Sequence, residues 1–358
     1  MNDAPRRRLH IAVTALNATD NPGPGITVIR ALKDDPDLDA RVIGLAYDAL
    51  EPGAYARDIV DDVFLLPYPS QGLDALRERL RYIDERIGLD VVIPTLDSEL
   101  DAFIAIEDDL KAMGIGTFLP TRQQLGLRSK AHLARLGETS DIRVPPTRVV
   151  QTVEDLYRIH EELHYPLWVK GTFYGATLAR DVGEAVGAYW NMVSRWGGPV
   201  IVQESIKGSE FNVVAVGDGK GGVVGAVPMK KTYLTDKGKG WAGVTVSDPE
   251  LLDMTRRFMA ATHWRGPCEV EVIKDEDGHY HLLEINPRFP AWTYLSAGAG
   301  MNLPSAVARL ALGQTVEPMT EYRVGTMFVR ISLDQITTIA DLERLSTLGE
   351  FISAEDES

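Results

Sequence analysis

Apolar and polar positions in the first third of the chain predict strands and helices in turn. Short apolar runs bounded by turn residues are typical of strands that a parallel sheet buries on both faces, and they lie at 9–15, 41–47, 90–95 and 115–118. Leucine and isoleucine recur every three or four residues over 73–87, which predicts one helix. A second helix is expected after Ser98 as its cap, with Asp101 in the capping box. Residues 1–118 are therefore predicted to form a doubly wound α/β domain.

The pattern changes after residue 118. Two short helical segments and an extended VPP sequence indicate a linker within 119–150. Strand runs then follow one another with tight Gly/Asp turns, at 165–171, 198–217, 221–231 and 268–286, broken by helices near 152–163, 181–195 and 249–263. Consecutive strands of this kind predict mainly antiparallel sheets and an α+β class. We expect lobes at 119–197 and 198–318, then an extension at 319–358 with one more strand and a disordered acidic tail.

Composition and charge narrow the function classes. With 358 residues and 44% hydrophobic content, the chain has the composition of a globular protein with a core. Lys plus Arg number 37 against 52 Asp plus Glu, and a net charge of -15 opposes non-specific binding to nucleic acid or anionic membrane. Cys268 is the only cysteine, which excludes an intrachain disulfide and favours a cytoplasmic location. No apolar run has the length of a membrane span, and the first residues are expected to form a strand rather than a signal peptide.

Two acidic residues lie on strand runs that a tight turn joins. Glu271 and Glu284 flank the KDEDG segment, whose Asp277-Gly278 pair favours a β-hairpin. Pairing of the two strands brings the carboxylates together, and Asn286 follows one step along the same face. Carboxylate and amide oxygens are hard ligands that suit Mg²⁺, with Mn²⁺ as an alternative. The pattern therefore predicts a metal site on this hairpin.

Two alternatives stay open for the hairpin. Glu271 and Glu284 are equally compatible with solvated outward positions of an edge hairpin. Glu269 shares the face of Glu271 and is a rival ligand, although the register of the EVE sequence favours Glu271.

A second set of residues suits a nucleotide. Lys170 ends one apolar strand, where its ammonium group can reach phosphate oxygens. Another strand ends in Gln203 and Glu204 and continues to Ile206 and Glu210, an order that suits an adenine amino group, an adenine ring and ribose hydroxyls. Each position taken alone is equally typical of a strand that meets solvent.

Together these motifs resemble the ATP-grasp superfamily, and more closely its branch with the carbamoyl-phosphate synthase large chain and biotin carboxylase. The resemblance extends over about residues 10–315, and its most specific parts are LLEINPR and the preceding CEVEVI. It implies a pre-ATP-grasp α/β domain followed by two α+β lobes that clasp ATP. The chain has one such region and no biotin-carrying domain, so neither complete reaction of those two relatives is expected.

The resemblance also implies roles for individual residues. The implied ATP contacts are two phosphate lysines and the adenine and ribose residues: Lys130, Lys170, Gln203, Glu204, Ile206 and Glu210. Glu271, Glu284 and Asn286 are the implied metal ligands, and Arg288 the implied catalytic arginine. The family's glycine-rich lid is represented only by GTFYGATLARD, so closure of the 172–174 segment over phosphates is an open expectation.

The implied activity is ATP-dependent joining of a carboxylate to an amine through an acyl phosphate, with release of ADP and phosphate. Lys230, or its neighbour Lys231, is expected to bind the carboxylate substrate, unless the two form a solvated pair. Trp292 and Tyr294 are candidates for the acceptor pocket and equally for the core. The expected partners are small-molecule or peptide substrates, with a homodimer as the default assembly. A non-catalytic nucleotide-binding regulatory module and an ATP-dependent carboxylase or carbamate kinase subunit are the alternatives.

Overall fold

The computed structural model describes residues 8–18, 22–171, 175–235 and 240–353 of the chain. These residues form three β-sheets of five, four and six strands, which we name sheets A, B and C. Sheet A is mixed, whereas sheets B and C are antiparallel. The predicted combination of an α/β domain with a two-lobed α+β region is confirmed.

Sheet A builds the first domain. Its parallel strands are β1 (Leu9–Thr14), β2 (Ala40–Ala46), β3 (Asp62–Leu65) and β4 (Val91–Ile93), in the spatial order β3-β2-β1-β4. Helix α1 (Pro24–Lys33) covers one face, where it packs on Ile11 and Val13. The opposite face is covered by α2 (Leu73–Ile87), α3 (Leu100–Ala105) and α4 (Glu107–Ala112). Both faces of the sheet are buried, which explains why its strands are continuously apolar.

Sheet B forms the smaller lobe. Helices α5 (Arg122–Gly126) and α6 (Lys130–Ser140) lead from the first domain to this sheet. Its strands are β5 (Thr147–Val150), β6 (Leu167–Gly171), β7 (Ala176–Ala179) and β8 (Val200–Glu204), in the order β5-β8-β6-β7. The helices α7 (Val153–Arg158) and α8 (Val182–Trp196) pack on one face. Asp181 caps α8 by accepting a hydrogen bond from the Glu184 backbone N–H at 2.9 Å, which explains the start of that helix.

Sheet C is the largest sheet and carries the candidate site. Its spatial order is β13-β12-β9-β10-β11-β14. The strands are β9 (Gly208–Asp218), β10 (Val223–Leu234), β11 (Gly240–Thr245), β12 (Arg265–Asp275), β13 (Tyr280–Asn286) and β14 (Met327–Val329). Helix α9 (Pro249–Thr262) covers one face together with α6. A side chain at Gly208 would lie 1.9 Å from the Lys274 carbonyl oxygen, so only glycine fits where β9 begins beside β12.

The last part of the chain returns to both large sheets. Helices α10 (Tyr294–Gly298) and α11 (Leu303–Ala311) follow β13 and pack between sheet C and the first domain. After β14 the chain forms α12 (Ile339–Leu348) and β15 (Glu350–Phe351), which pairs antiparallel with β3. Residues 319–353 therefore contribute a strand to sheet C and a strand to sheet A.

Three local expectations differ from the structure. The run at 115–118 forms only a bridge between Val91 and Gly116. Glu99, and not Ser98, is the residue before helix α3, and no side-chain hydrogen bond caps this helix. The Glu99 carboxylate instead accepts hydrogen bonds from the Thr95 and Leu96 backbone N–H groups at 2.7 and 2.8 Å. The boundary expected at 197/198 precedes β8, which pairs with β5 and β6 of the smaller lobe.

Two further expectations concern the acidic tail and membrane crossing. The acidic end at 354–358 lies outside the described residues. Among the described helices, none combines the length and the apolar character that a membrane crossing requires.

Candidate active site

The candidate site lies on one face of sheet C. Side chains alternate along each strand, so Phe211, Val270 and Val272 face the core beneath α9, and the residues between them face the other way. On that second face Glu271 lies directly opposite Glu284, and Glu269 lies opposite Asn286. The structure thus brings together the two carboxylates that the hairpin pattern placed side by side.

Glu269 is the buried centre of this face. Its residue exposure is 5%, and it accepts hydrogen bonds from Trp292 Nε1 at 2.6 Å, Asn212 Nδ2 at 2.5 Å and Asn286 Nδ2 at 3.0 Å. Burial and the neighbouring Glu271 raise the pKa of Glu269, although Arg288 and these donors oppose the rise. Glu269 already has a full set of donors, and it organises the side chains around it.

Glu271 has a different environment, because it contacts an ammonium group. Lys231 Nζ lies 3.2 Å from Glu271 Oε2 and 2.7 Å from Glu210 Oε2. Burial opposes ionisation of Glu271, but Lys231 and a 2.8 Å hydrogen bond from Asn286 Nδ2 hold its pKa below the ordinary range. The Glu271 side chain is 26% exposed, so it is more accessible than Glu269. Its charge and exposure fit a metal ligand.

The structure separates the two lysines that were expected in the same cleft. Lys231 lies on the acidic face with Glu210, its neighbour on β9. Lys230 is exposed on the opposite face, with its Nζ 5.6 Å from the centre of the Phe211 ring. The reason is the two-residue period of a strand, which sends consecutive side chains to opposite faces.

Arg288 connects the acidic face to the first domain. Its Nε donates to Asp97 Oδ2 at 3.0 Å, and its Nη1 lies 3.5 Å from Glu269 Oε2. Burial favours the neutral guanidine, but Asp97 and Glu269 outweigh it and raise the pKa of Arg288. The guanidinium is therefore fixed as a cation between Asp97 and Glu269, and the charge of Glu271 also acts on it.

Sequence reasoning missed three residues of this cluster: Asp97, Asn212 and Arg330. Asp97 follows β4 within the VVIPTLDSEL segment. Arg330 follows β14, and burial lowers its pKa to about 10 while Glu269 opposes the fall. Asp97 and Arg330 lie far in sequence from the other site residues, so their spacing carried no signal. Asn212 lies two residues after Glu210 on β9, and the two-residue period of a strand could have identified it.

The candidate nucleotide residues lie along β6 and β8 and at the start of β9. Lys170 Nζ donates to Gln203 Oε1 at 2.6 Å, and Gln203 Nε2 donates to Thr147 Oγ1 at 2.9 Å. Glu204 Oε1 accepts from the His164 backbone N–H at 2.7 Å and lies 2.9 Å from His164 Nδ1. Ile206 is half-buried in the link between β8 and β9. Glu210 contacts Lys231, so the candidate ribose and metal residues adjoin each other.

Some candidates fall where the structure gives no side chain. Lys130 begins helix α6, but its side chain lies outside the described part of the chain, as do residues 172–174 of the candidate lid.

Trp292 and Tyr294, which were both candidates for the acceptor pocket, lie in different places. The Trp292 indole is bonded to Glu269 within the site. The Tyr294 hydroxyl donates to Asp34, and Arg30 lies 4.3 Å above the centre of its ring, so Tyr294 packs against helix α1.

Comparison with known proteins gives one family match and many structural relatives. Residues 198–332, which contain sheet C, match the family described as ATP-grasp in the biosynthetic pathway with Ter operon. The carbamoyl phosphate synthase large chain of Agathobacter rectalis is 24% identical over 185 residues, which cover 48% of this chain and 17% of that one. The chain thus matches only about a sixth of the length of this curated relative.

Solved structures share the fold over most of the chain. The biotin carboxylase domain of Hydrogenobacter thermophilus 2-oxoglutarate carboxylase, determined with MgADP, ADP and bicarbonate, aligns with a TM-score of 0.67 and 19% identity, covering 88% of this chain and 72% of that chain. The L-amino acid ligase of Bacillus licheniformis aligns with a TM-score of 0.65 and 18% identity, covering 86% and 75%. At these identities the likeness concerns the fold. Residues 198–332 thus match an ATP-grasp family, and the chain as a whole shares its fold with these solved structures.

Proposed function

We propose that the protein is an ATP- and Mg²⁺-dependent ligase that joins a carboxylate to an amine through an acyl phosphate. The observation that carries this proposal is the pairing of Glu271 with Glu284 beside Asn286, with the Arg288 cation held by Glu269 on the same face. A protein that only bound a nucleotide would have little use for a buried arginine at this place.

Mg²⁺ fits the donor set on this face. Glu271 and Glu284 would supply carboxylate oxygens and Asn286 its amide oxygen, because the Asn286 amide nitrogen already donates to Glu269 and Glu271. The position of Lys231 supports this assignment, because its ammonium group lies between the Glu210 and Glu271 carboxylates and shows that this face accommodates a positive charge. When bound, the metal would neutralise charge on the phosphate oxygens. We assign the ligand role to Glu271 because Glu269 is buried among other donors.

The proposed reaction has two steps. An oxygen of the substrate carboxylate attacks the γ-phosphorus of ATP, the bond from that phosphorus to the bridging oxygen breaks, and ADP leaves. The amine nitrogen then attacks the acyl carbon, the carbon–oxygen bond to phosphate breaks, and the nitrogen loses a proton as the amide forms. Arg288 would stabilise the transferred phosphoryl group, since its charge is fixed by Asp97 and Glu269.

The remaining roles concern the nucleotide and the acid. Lys130 and Lys170 are proposed for the phosphates, and Gln203, Glu204 and Ile206 for the adenine. Glu210 is proposed for the ribose; its contact with Lys231 supports a nucleotide position next to the metal ligands. Lys231, rather than Lys230, is the lysine we propose for the carboxylate substrate, because it lies on the acidic face.

The proposal is tested by Mg²⁺-dependent release of ADP and phosphate from the purified protein with pairs of amino acids and short peptides. One acid–amine pair is expected to stimulate release, and Arg288→Ala and Glu271→Gln are each expected to reduce it about a hundredfold. Glu276→Gln is the matched control, because Glu276 is exposed in the turn of the same hairpin. Equal release by wild type and Arg288→Ala would contradict the proposal.

The alternatives have distinct outcomes in the same assay. Tight ATP binding without stimulated turnover by any pair indicates the nucleotide-binding regulatory module. Release that depends on bicarbonate indicates a carboxylase or carbamate kinase subunit. The cytoplasmic location and the homodimer stay predictions, which fractionation and sedimentation would test.

A further inference from the structure

A cavity of about 510 Å³ lies in the first domain, outside the acidic face of sheet C. Its lining comes from the loops that follow β1, β2, β3 and β4, and includes Asn17, Tyr47, Asp48, Glu51, Tyr68 and Ser98. These loops follow the carboxyl ends of the parallel strands, which is where open α/β sheets bind ligands. A cavity of this size holds a small molecule of the size of an amino acid or a dipeptide.

The lining combines acidic and aromatic groups. Tyr47 and Tyr68 are stacked, with ring centres 5.9 Å apart, and the Tyr68 hydroxyl donates to Asp48 Oδ2 at 3.4 Å. Glu51 is a second acid of the wall, and the Tyr47 hydroxyl donates to a third carboxylate, that of Glu99. Among the lining residues that the structure describes there is no lysine or arginine. Aromatic rings beside carboxylates attract cations.

Glu51 has one carboxylate oxygen that the described residues do not satisfy. Its Oε1 accepts hydrogen bonds from the Tyr47 and Asp48 backbone N–H groups, at 2.7 and 3.3 Å. Its Oε2 is buried without a hydrogen-bond partner among the described residues, and Glu51 as a whole is only 7% exposed. A buried carboxylate without a counter-ion is unfavourable, and a bound cation would offset that cost.

The cavity adjoins the proposed catalytic arginine. Leu96 and Ser98 line the cavity, and Asp97 between them accepts the hydrogen bond from Arg288 Nε at 3.0 Å. One strand-end loop therefore forms part of the cavity wall and also positions the guanidinium of the ATP-grasp site. A molecule held at the acidic end of the cavity can extend along this loop toward Arg288.

We propose that this cavity binds the positively charged end of an amino-bearing substrate, a primary ammonium or guanidinium group. The rings of Tyr47 and Tyr68 would contact the cation, and Asp48 lies beside them in the cavity lining. The Glu51 carboxylate lies just behind the cavity wall. The proposal rests on the proposed ligase function for the statement that the bound molecule is a substrate. The preference for a cation follows from the cavity alone.

Isothermal titration calorimetry on the full chain without ATP tests this preference. The probes are L-lysine and L-arginine, and their neutral counterparts of similar shape are L-norleucine and L-citrulline. We expect each cationic probe to bind about tenfold more tightly than its neutral counterpart, a difference typical of a single charge-assisted contact. Omitting ATP separates binding in the cavity from turnover.

Two variants locate the binding in the cavity. Glu51→Gln is expected to reduce the affinity for L-arginine about tenfold, and Tyr68→Ala about threefold through loss of a ring face. Tyr68 is 50% exposed, so its variant keeps the test available if Glu51→Gln fails to fold. The matched control is Glu78→Gln, which removes an exposed charge from helix α2 of the same domain.

Equal binding of cationic and neutral probes, or no binding at about 10 mM ligand, would overturn the proposal. Full affinity in both variants would do the same. If the cation preference and the two losses are found but no pair stimulates ADP release, the cavity proposal stands and the proposed ligase function fails.

Discussion

Two clusters of buried carboxylates among the described residues are compensated differently. On sheet C, Glu271 lies against the ammonium group of Lys231, and Glu269 lies 3.5 Å from the guanidinium of Arg288. In the first domain, Glu51 and Glu99 receive hydrogen bonds only from neutral groups among the described residues, namely backbone N–H groups and hydroxyls. Similar burial is thus combined with internal cations in one region and with dipoles alone in the other.

The pKa values show what this difference means. Lys231 outweighs burial and lowers the pKa of Glu271, so this acid is charged without a ligand. Burial raises the pKa of both Glu51 and Glu99, because their neutral donors do not offset it. The first region is balanced by a cation of its own, Lys231. The second region has an unbalanced negative wall, which favours a positive ligand.

The largest effect is expected from Lys231→Ala. Removing the ammonium group leaves Glu210 and Glu271 without their shared cation, and because both carboxylates are partly exposed we expect a loss of about 2 kcal/mol in the free energy of unfolding. Urea denaturation measures this loss, and added Mg²⁺ should restore part of it. Lys230→Ala is the control on the opposite face, for which little change is expected; equal losses in both variants would remove the basis of the comparison.

A smaller effect is expected from Asp97→Asn. The change keeps the size of the side chain but removes the charge that holds Arg288, so kcat for ADP release should fall about tenfold, about 1.4 kcal/mol. KM for ATP should change little, because Asp97 positions Arg288 and does not contact the nucleotide residues. An unchanged kcat would show that Glu269 alone is sufficient to orient Arg288.

Tyr47→Phe tests the dipole-compensated region. It removes the hydroxyl that donates to buried Glu99, and we expect a loss of about 1 kcal/mol in the free energy of unfolding. Tyr82→Phe is the matched control, since the Tyr82 hydroxyl donates to Glu350 at an exposed position. Chemical denaturation of both variants compares the same hydrogen-bond loss in buried and exposed settings, and equal losses would contradict the argument from burial.

The smallest effect, a few tenths of a kcal/mol, is expected in the pH dependence of Glu51→Gln. Because burial raises the pKa of folded Glu51, the folded wild type holds its proton to higher pH than the unfolded chain. Wild-type stability should therefore fall as pH rises from about 4 upward through the folded pKa, relative to the variant. Denaturation curves of both proteins across this range measure the difference in their free energies of unfolding. A wild type that gains stability over the variant with rising pH would contradict the prediction.

The local part of the site could be predicted from the sequence. The Asp277-Gly278 turn predicts that β12 and β13 pair, and the two-residue period predicts that Glu269 and Glu271 share a face. The register of the two strands shifts by one residue between Glu271 and Val272, and this shift places Glu284 opposite Glu271. The alternation of apolar runs and helical stripes likewise predicted the doubly wound first domain. These features depend on residues close together in the chain.

The remaining features depend on a strand irregularity or on contacts between distant segments. Choosing Lys231 over Lys230 required the register of β10 against β9, and that register shifts between Val223 and Gly225, just after the turn that joins the two strands. Asp97 approaches Arg288 across 191 positions of sequence, and Trp292 reaches Glu269 only because α10 and α11 pack between sheet C and the first domain. Glu99, and not the expected Ser98, precedes helix α3. The Glu99 carboxylate accepts hydrogen bonds from Thr14 and Tyr47, which come from distant parts of the chain.

The pairing of β15 with β3 has a consequence for biosynthesis. A ribosome produces β3 well before Glu350 and Phe351, which pair with that edge of sheet A. Until then β3 has an open edge, which in a nascent chain is a surface for wrong strand pairing. Phe351 lies beneath the Arg57 guanidinium and Ser353 N–H donates to Asp62 at 2.8 Å, so residues 351–353 are bound to the first domain by side-chain contacts as well as by strand pairing. This domain therefore becomes complete only after the ribosome has made both lobes that follow it in the chain.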